Sequence, residues 1–348
     1  MPIQVYDFFS GCGGTSAGLR ASGMEIVLGL DIDPDARDTF QANFPEATFI
    51  HGNIRNISAE SIARHIRREA GNRLLFSCCA PCQSFSILNR NRNGKDARAL
   101  LLYEFARFVE PYLPELIFLE NVPGAQNVSD GPGPFTDFER LLRFLNYNVA
   151  YGIIESQRYG VPQRRKRFVL IASLLGPIGL PEVTHGPETA NPNYPTVWEY
   201  IGNLPPIAAG ETHPEIPNHR AAGLSEINLQ RIMATPEGGG RLDWPDELIL
   251  DCHSGEYTGH TDVYGRMRKH EPASGLTTRC TSLSNGRFGH PEQHRAISAR
   301  EGACLQTFSQ EFIFSGGLNS MARQIGNAVP VLVAQIFGNH FIAHSDLY

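Results

Sequence analysis

At 348 residues, with 41% apolar and 19% charged residues and a net charge of -6, the chain has the composition of a globular protein with room for two domains and a large core. No apolar run reaches bilayer-spanning length and no charged-then-apolar leader opens the chain, so no membrane partner and a cytoplasmic location are expected. Seven scattered cysteines, an odd number, argue against a disulfide framework. The acidic balance excludes a globally basic polyanion binder, but the basic residues cluster: Arg90, Arg92, Lys95 and Arg98; then Arg164 to Arg167; then Arg266, Arg268, Lys269 and Arg279.

In chain order, Val5 to Phe9 reads as a short buried strand, followed by the loop Ser10-Gly11-Cys12-Gly13-Gly14 and a helix through Ser22. Glu25 to Leu30 is a second strand, ending in Asp31. Asp33 then N-caps a helix with Pro34 at its first position. A third strand is expected at Ala47 to Ile50 and a helix at Ile57 to Ala70. The apolar run Leu74 to Cys78 supplies a fourth strand, which ends in Cys79-Ala80-Pro81-Cys82-Gln83-Ser84. A helix over Ala99 to Val109, a strand over Leu116 to Leu119 ending in Glu120-Asn121-Val122, and a helix over Phe135 to Leu145 come next. Two further strands, Val149 to Ile154 and Phe168 to Ala172, complete the series. Such strand–helix alternation predicts an α/β fold with a doubly wound, mostly parallel sheet. From about Leu180 to Pro291 the chain turns rich in Pro, Gly, His and Asn, which marks a second, irregular domain. Ala299 to Thr307 and Val329 to Phe337 are expected to be helical. The expected division is a catalytic domain over 1–178, completed by 320–348, and a recognition domain with its hinge over 179–319.

The strand ends carry the chemistry-bearing residues. In an open α/β sheet these ends share one edge, so Asp31, Cys82, Glu120 and Asn121 converge on one site. Glycines after the first strand let a ligand approach the backbone at a helix N-terminus, and Asp31 stands where an acid takes a ribose hydroxyl. A dinucleotide loop would need glycine where Ser16 stands, so a nucleoside cofactor without a phosphate cradle, S-adenosylmethionine, is expected. Cys79-Ala80-Pro81-Cys82 is formally a C-x-x-C, but a polar segment follows where a redox motif would open a helix. No second pair of ligands makes it a zinc site, and no metal is expected. A cysteine beside a carboxyl group suits covalent activation of an electron-poor ring.

The residues then resemble a known family. Phe9-Ser10-Gly11-Cys12-Gly13-Gly14, Ala80-Pro81-Cys82-Gln83-Ser84, Glu120-Asn121-Val122, Gln163-Arg164-Arg165-Lys166-Arg167, Arg300-Glu301 with Leu305-Gln306-Thr307-Phe308, and Gln324 to Pro330 are similar, in order, to six blocks of the cytosine-5 DNA methyltransferases. The resemblance implies methyl transfer from S-adenosylmethionine to C5 of a flipped-out cytosine in a specific duplex sequence, with S-adenosylhomocysteine as product. Cys82 would add to C6 and Glu120 would hold N3 and the exocyclic amine. Arg165 would contact the base O2, and Arg167 would brace the site. Phe9, Gly11, Cys12, Gly13, Gly14, Asp31, Ile32, Asn53, Ile54, Pro81, Leu101, Asn327 and Ala328 match cofactor positions. Gln83, Ser86, Arg90, Arg92 and Arg98 fall on a loop that would close over the base. Arg266, Arg268, Thr277, Thr278, Arg279, Asn285 and Arg287 are the expected DNA contacts of the irregular domain. Ile32 stands where the family often has an aromatic, Asn53 replaces its usual Asp, and Ser274-Gly275 departs from its Pro-Thr.

Double-stranded DNA is therefore the expected partner, with a cognate restriction endonuclease acting on the same site, and the protein is expected to be a monomer. A cytidine deaminase fails, because its H-x-E and P-C-x-x-C metal ligands are missing. Two alternatives stay open: an RNA (tRNA) cytosine-5 methyltransferase of the same family, and a non-catalytic DNA-binding protein on this scaffold.

Overall fold

The computed structural model describes residues 2–66, 68, 71–80, 100–124, 133–251 and 262–348. Two compact units result: residues 1–159, 166–184 and 329–348 form the first, and 160–165 with 185–328 form the second. Residues 320–328, expected with the catalytic domain, group with the second unit.

In the first unit the elements run β1 (Ile3–Phe8), α1 (Gly14–Ala21), β2 (Glu25–Asp31), α2 (Pro34–Asn43), β3 (Thr48–His51), α3 (Ala59–Ala63), β4 (Arg73–Cys78), α4 (Leu101–Tyr112), β5 (Leu116–Asn121), α5 (Pro134–Phe144) and β6 (Asn148–Glu155). After β7 (Gln163–Arg164), which belongs to the second unit, β8 (Lys166–Ser173) closes a seven-stranded sheet of order β3-β2-β1-β4-β5-β8-β6. The apolar runs fix its centre: every residue of β1 and of β4 is buried, as expected for strands covered on both faces. Phe8, Phe76, Phe105 and Phe108 pack between the sheet and α4, with ring centroids 5.0–5.3 Å from Phe8. Asp33 caps α2 as expected, its side chain accepting from Asp35 N and Ala36 N.

The sheet is mostly parallel, as expected, and β8 is the strand that runs against its neighbours, antiparallel to β5 and to β6. Only ten residues separate β6 from β8, too few for the helical crossover that parallel neighbours require. The helix expected over Ile57 to Ala70 is confined to Ala59–Ala63. Beyond it Tyr6 donates its hydroxyl to the His65 carbonyl at 2.7 Å, so a tertiary bond takes over from the helical ladder.

The second unit holds β7, α6 (Val197–Ile201), α7 (Glu226–Ala234), β9 (Ala273–Ser274), α8 (Ala299–Leu305) and α9 (Leu318–Asn327). Of these helices the sequence predicts α8 alone. A buried ion pair anchors this irregular chain: the Arg295 fork meets both Glu301 oxygens at 2.7 Å, and Glu301 also completes the capping box of α8. Back in the first unit, α10 (Val331–Ser345) packs on α1. Gly18 permits that approach, because a Cβ there would lie 2.3 Å from the Val331 carbonyl oxygen. By length and composition Leu318–Ser345 would qualify as one membrane span. Ala328 to Pro330 divide it into helices of 10 and 15 residues, each short of the roughly 20 a span needs.

Candidate active site

The loop after β1 is held in a shape that few sequences tolerate. Phe9 and Gly11 adopt left-handed φ values of 59° and 52°, and Gly13 one of 91°. At Gly11 a Cβ would meet nothing within 4 Å, so the left-handed backbone is what asks for glycine there. Asp31, ending β2, fixes the loop: Oδ2 accepts from Gly11 N and Oδ1 from Asp33 N, both at 2.9 Å. Burial raises the Asp31 carboxyl above its ordinary range, opposed by these backbone donors. Ser10 Oγ is buried and accepts or donates no hydrogen bond among the described residues. Ile32 follows with 61% of its surface exposed, an apolar side chain at the lip of the loop.

The ends of β4 and β5 adjoin this loop. Cys79 N donates to the Phe8 carbonyl at 3.3 Å, and its sulfur lies 3.4 Å from Thr15 Oγ1. Asn121 Nδ2 reaches the Ala80 carbonyl at 3.5 Å. Burial drives the Cys79 thiol well up, reinforced by the charges of Glu120 and Asp7, so it stays protonated. Glu120, 7% exposed, forms an ion pair with Arg167 at 2.8 Å (Oε1 to Nε). The contact lacks hydrogen-bond alignment, so among the described residues Oε1 accepts no N–H. Register explains the meeting: Glu120 pairs with Val169 across the antiparallel β5–β8 ladder, and Arg167 sits two residues before it.

The two arginines differ in what they meet. Arg165, read from the sequence as the base contact, is 3% exposed. It donates through Nη1 to Leu276 O at 2.9 Å and through Nη2 to Gly326 O and Ala328 O at 2.9 and 3.2 Å. Its fork is an internal tie of the second unit. Gln163 and Gln306, 3.0 Å apart, extend the tie, Gln163 accepting from Leu276 N and Gln306 donating to Ile325 O. The carboxylate partner is Arg167.

Among the expected cofactor residues, Ile54 is 2% exposed and belongs to the apolar core, which removes it as a contact. The Cys12 side chain is likewise buried, its thiol pushed up to about 12 by desolvation, so its side chain is not presented to a ligand. Gly13 is shut in by the Phe44 ring, 2.5 Å from where a Cβ would stand, and Gly14, buried, opens α1. Asn53 Oδ1 caps the following turn through Arg55 N at 3.1 Å. Leu101 is half-buried against the core at the start of α4. In the second unit Asn327 is exposed at the end of α9, and Ala328 is buried with its carbonyl held by Arg165 and Gln306. Pro81, Cys82, Gln83, Ser86, Arg90, Arg92 and Arg98 lie outside the described residues.

The expected DNA contacts divide in the same way. Arg266 is 3% exposed and donates to the carbonyls of Thr235, Ile232, His290 and Gln293. It is a core residue, and the groove role is withdrawn. Arg287 is also committed, to Gly238 O and Gly239 O at 2.7 and 2.6 Å and to Asp262 at 3.0 Å. Asn285 bonds to Ser282 and Ser284. Thr277, Thr278 and Arg279 remain exposed together, and Arg268 is exposed in an ion pair with Glu271. The sequence reading gave no role to Gln306 or to Asp7, although an acid within the apolar run Val5-Tyr6-Asp7-Phe8-Phe9 was a visible signal.

Comparison with known proteins matches residues 3–343 to the family model of the C-5 cytosine-specific DNA methylases. A type II methylase of Herpetosiphon aurantiacus, M.HgiDII, is 38% identical over 95% of this chain and 93% of its own. M1.HphI of Haemophilus parahaemolyticus, a type II methyltransferase, is 32% identical over 96% of this chain and 85% of its own. The fold is shared with an Escherichia coli prophage protein, solved as a putative DNA modification methyltransferase, at a TM-score of 0.74 and 21% identity over 99% of both chains. With one family model spanning nearly all of it and relatives this similar over most of their length, the chain belongs to the C-5 cytosine-specific DNA methylases and is a DNA (cytosine-5-)-methyltransferase.

Proposed function

We propose that the protein is the modification enzyme of a type II restriction-modification system, methylating cytosine C5 in a duplex sequence through a covalent cysteine adduct. The Glu120–Arg167 pair, at the strand end that Asn121 ties to Ala80, carries this reading. Two residues beyond Ala80 stands Cys82. S-adenosylmethionine, when bound, supplies an electrophilic methyl group on a sulfonium. The loop fits such a group: Gly11 opens onto free space, the buried Ser10 hydroxyl has no partner among the described residues, and Ile32 offers an exposed apolar surface.

The chain's residues would divide the chemistry as follows. The Cys82 thiolate adds to cytosine C6, and the ring electrons move toward C5 and N3. Glu120 would share its proton with N3 as negative charge builds there, its other oxygen accepting from the exocyclic amine. Arg167 fixes the carboxylate and stands beside the ring for O2, in place of Arg165. C5 would then take the methyl group as the S–CH3 bond breaks and the neutral thioether leaves; the C5 proton would pass to water, and the C6–S bond would break to return the Cys82 thiolate. Because C6 is stacked inside a duplex, the base must leave the helix first. Thr277, Thr278, Arg279 and Arg268 are the exposed residues of the second unit offered for DNA contact, and a cognate endonuclease would share the site.

Cys82→Ala tests this directly. Methyl transfer to duplex DNA should vanish while cofactor and DNA still bind, and wild-type protein should form a denaturation-resistant adduct with DNA carrying 5-fluorocytosine, where fluorine cannot leave as a proton does. Full activity in the variant would overturn the mechanism. Methylation of tRNA but not of duplex DNA would overturn the substrate.

A further inference from the structure

Asp7 is a carboxylate where packing alone would select an apolar side chain. It lies in β1 between the core residues Tyr6 and Phe8, with no surface exposed. Ser16 Oγ donates to Oδ2 at 2.7 Å. Ser77, its register partner on β4, lies beside it; no aligned hydrogen bond reaches Oδ1 among the described residues, but the Ser77 hydroxyl and the Ser16 backbone, with the Ser16 hydroxyl, partly stabilise the charge. Desolvation pushes the Asp7 carboxyl up to about 6, so near pH 8 it is ionised at a cost to stability. A charge retained against stability points to a use.

Its position suggests the use. One residue separates Asp7 from Phe9, and Ser16, its aligned partner among the described residues, stands in the first turn of α1 on the far side of the loop. Its field reaches Cys12 within the loop, Asp31 on one flank and Cys79 on the other. The negative charge is therefore buried under the Phe9–Gly14 loop. S-adenosylmethionine is a sulfonium cation at its reacting atom, whereas the product is a neutral thioether. A buried charge under the floor, acting in low dielectric, discriminates between the two without touching either.

We propose that the Asp7 carboxylate supplies the field by which the site prefers the sulfonium cofactor over its neutral product. The inference rests on the cofactor reading above. Asp7 acts here through the loop, as a positioning residue for charge, and loss of the sulfonium charge on transfer weakens the hold on the product.

The test is the affinity of S-adenosylmethionine, of S-adenosylhomocysteine, and of an analogue bearing a protonated amine in place of the sulfonium, measured by calorimetry at pH 8. Wild-type protein should bind both cations more tightly than the thioether. Asp7→Asn, which keeps shape and can still accept from Ser16, should lose roughly tenfold toward both cations, the scale of one screened unit charge. Its affinity for the thioether should change less than twofold. Ser16→Ala, which removes the bond but keeps the charge, should preserve the preference. Parallel weakening of all three ligands in Asp7→Asn, or an unchanged preference, overturns the proposal. Should Asp7→Asn fail to fold, equal affinity of wild-type protein for the amine analogue and the thioether overturns it instead. Failure of wild-type protein to bind any of the three removes the cofactor reading itself.

Discussion

Replacing Arg165 and Arg167 by methionine, one at a time, separates two roles that the sequence places side by side. Arg165 is buried and satisfies three backbone carbonyls, those of Leu276, Gly326 and Ala328. Methionine fills much of the space but removes the Arg165 donors from Leu276 O and Gly326 O, while Ala328 O keeps Gln306. Hydrogen bonds to a charged donor contribute about 1.5–3 kcal/mol each, and breaking a buried charged network by removing one partner costs about 3–5 kcal/mol, because the losses are not additive. Arg165→Met should therefore lower the stability of the second unit by about 3–5 kcal/mol, while the folded fraction turns over within a few-fold of wild type. Arg167→Met removes one partly buried ion pair, at a cost of about 1–2 kcal/mol. It should depress kcat by about a hundredfold or more, since the Glu120 carboxylate loses the cation that fixes it. Single-turnover methyl transfer at saturating cofactor, beside urea unfolding of each variant, reads both quantities. An Arg165→Met protein with a wild-type unfolding midpoint and a collapsed kcat, beside an Arg167→Met protein with the converse, would refute the assignment.

Asp7 should also leave a mark on stability. Its carboxyl stands at about 6 against an ordinary 3.8, so the folded state binds the proton more tightly than the unfolded chain. Its contribution is present in full below pH 4 and is lost as pH rises through 6, a span of at most about 3 kcal/mol at 1.36 kcal/mol per pH unit. Wild-type protein should gain on Asp7→Asn as pH falls from 8 to 5 in thermal unfolding. Parallel curves would show that the charge is not buried as described, given that Asp31, Cys12 and Cys79 are the titratable groups sharing its field. Gly326→Ala should destabilise the second unit by about 2–4 kcal/mol, because a Cβ would lie 2.1 Å from the Thr277 carbonyl oxygen and backbone must move to admit it. An unfolding midpoint equal to that of wild type would show that the threonine segment yields freely.

The first unit was largely legible because buried strands of an α/β sheet are apolar runs, and β1, β2, β4 and β5 appear as such. Strand direction was not legible: apolarity in β8 says that it is covered, and the brevity of the β6–β8 connection says which way it runs. In the second unit, α6, α7 and α9 escaped because prolines and glycines crowd their flanks. The site residues at strand ends were legible as a set. Their individual duties were not, since an arginine reads as surface charge until its acceptors are known. Arg266, with four backbone carbonyls around its guanidinium, is the clearest case.

The segment Gln163 to Arg167 shows what would have resolved that ambiguity. Along it, burial alternates: Gln163 and Arg165 are buried, Arg164 and Lys166 exposed, and Arg167 half-buried. The alternation is the period of two that an extended chain imposes. Arg164 and Lys166 accordingly meet Glu271 and Glu155 in solvent, with 56% and 66% of their side chains exposed, where such pairs contribute little. Arg165 and Arg167 face inward, where a guanidinium persists only if acceptors await it. For Arg165 they are carbonyls, which can only hold it still. Arg167 donates to the Lys166 carbonyl at 2.7 Å, and its ion-pair partner is a carboxylate at the end of β5, a group that can itself act on a base. Of four consecutive cations, strand geometry thus leaves two to the solvent and one to the scaffold, and the one remaining has a chemical partner.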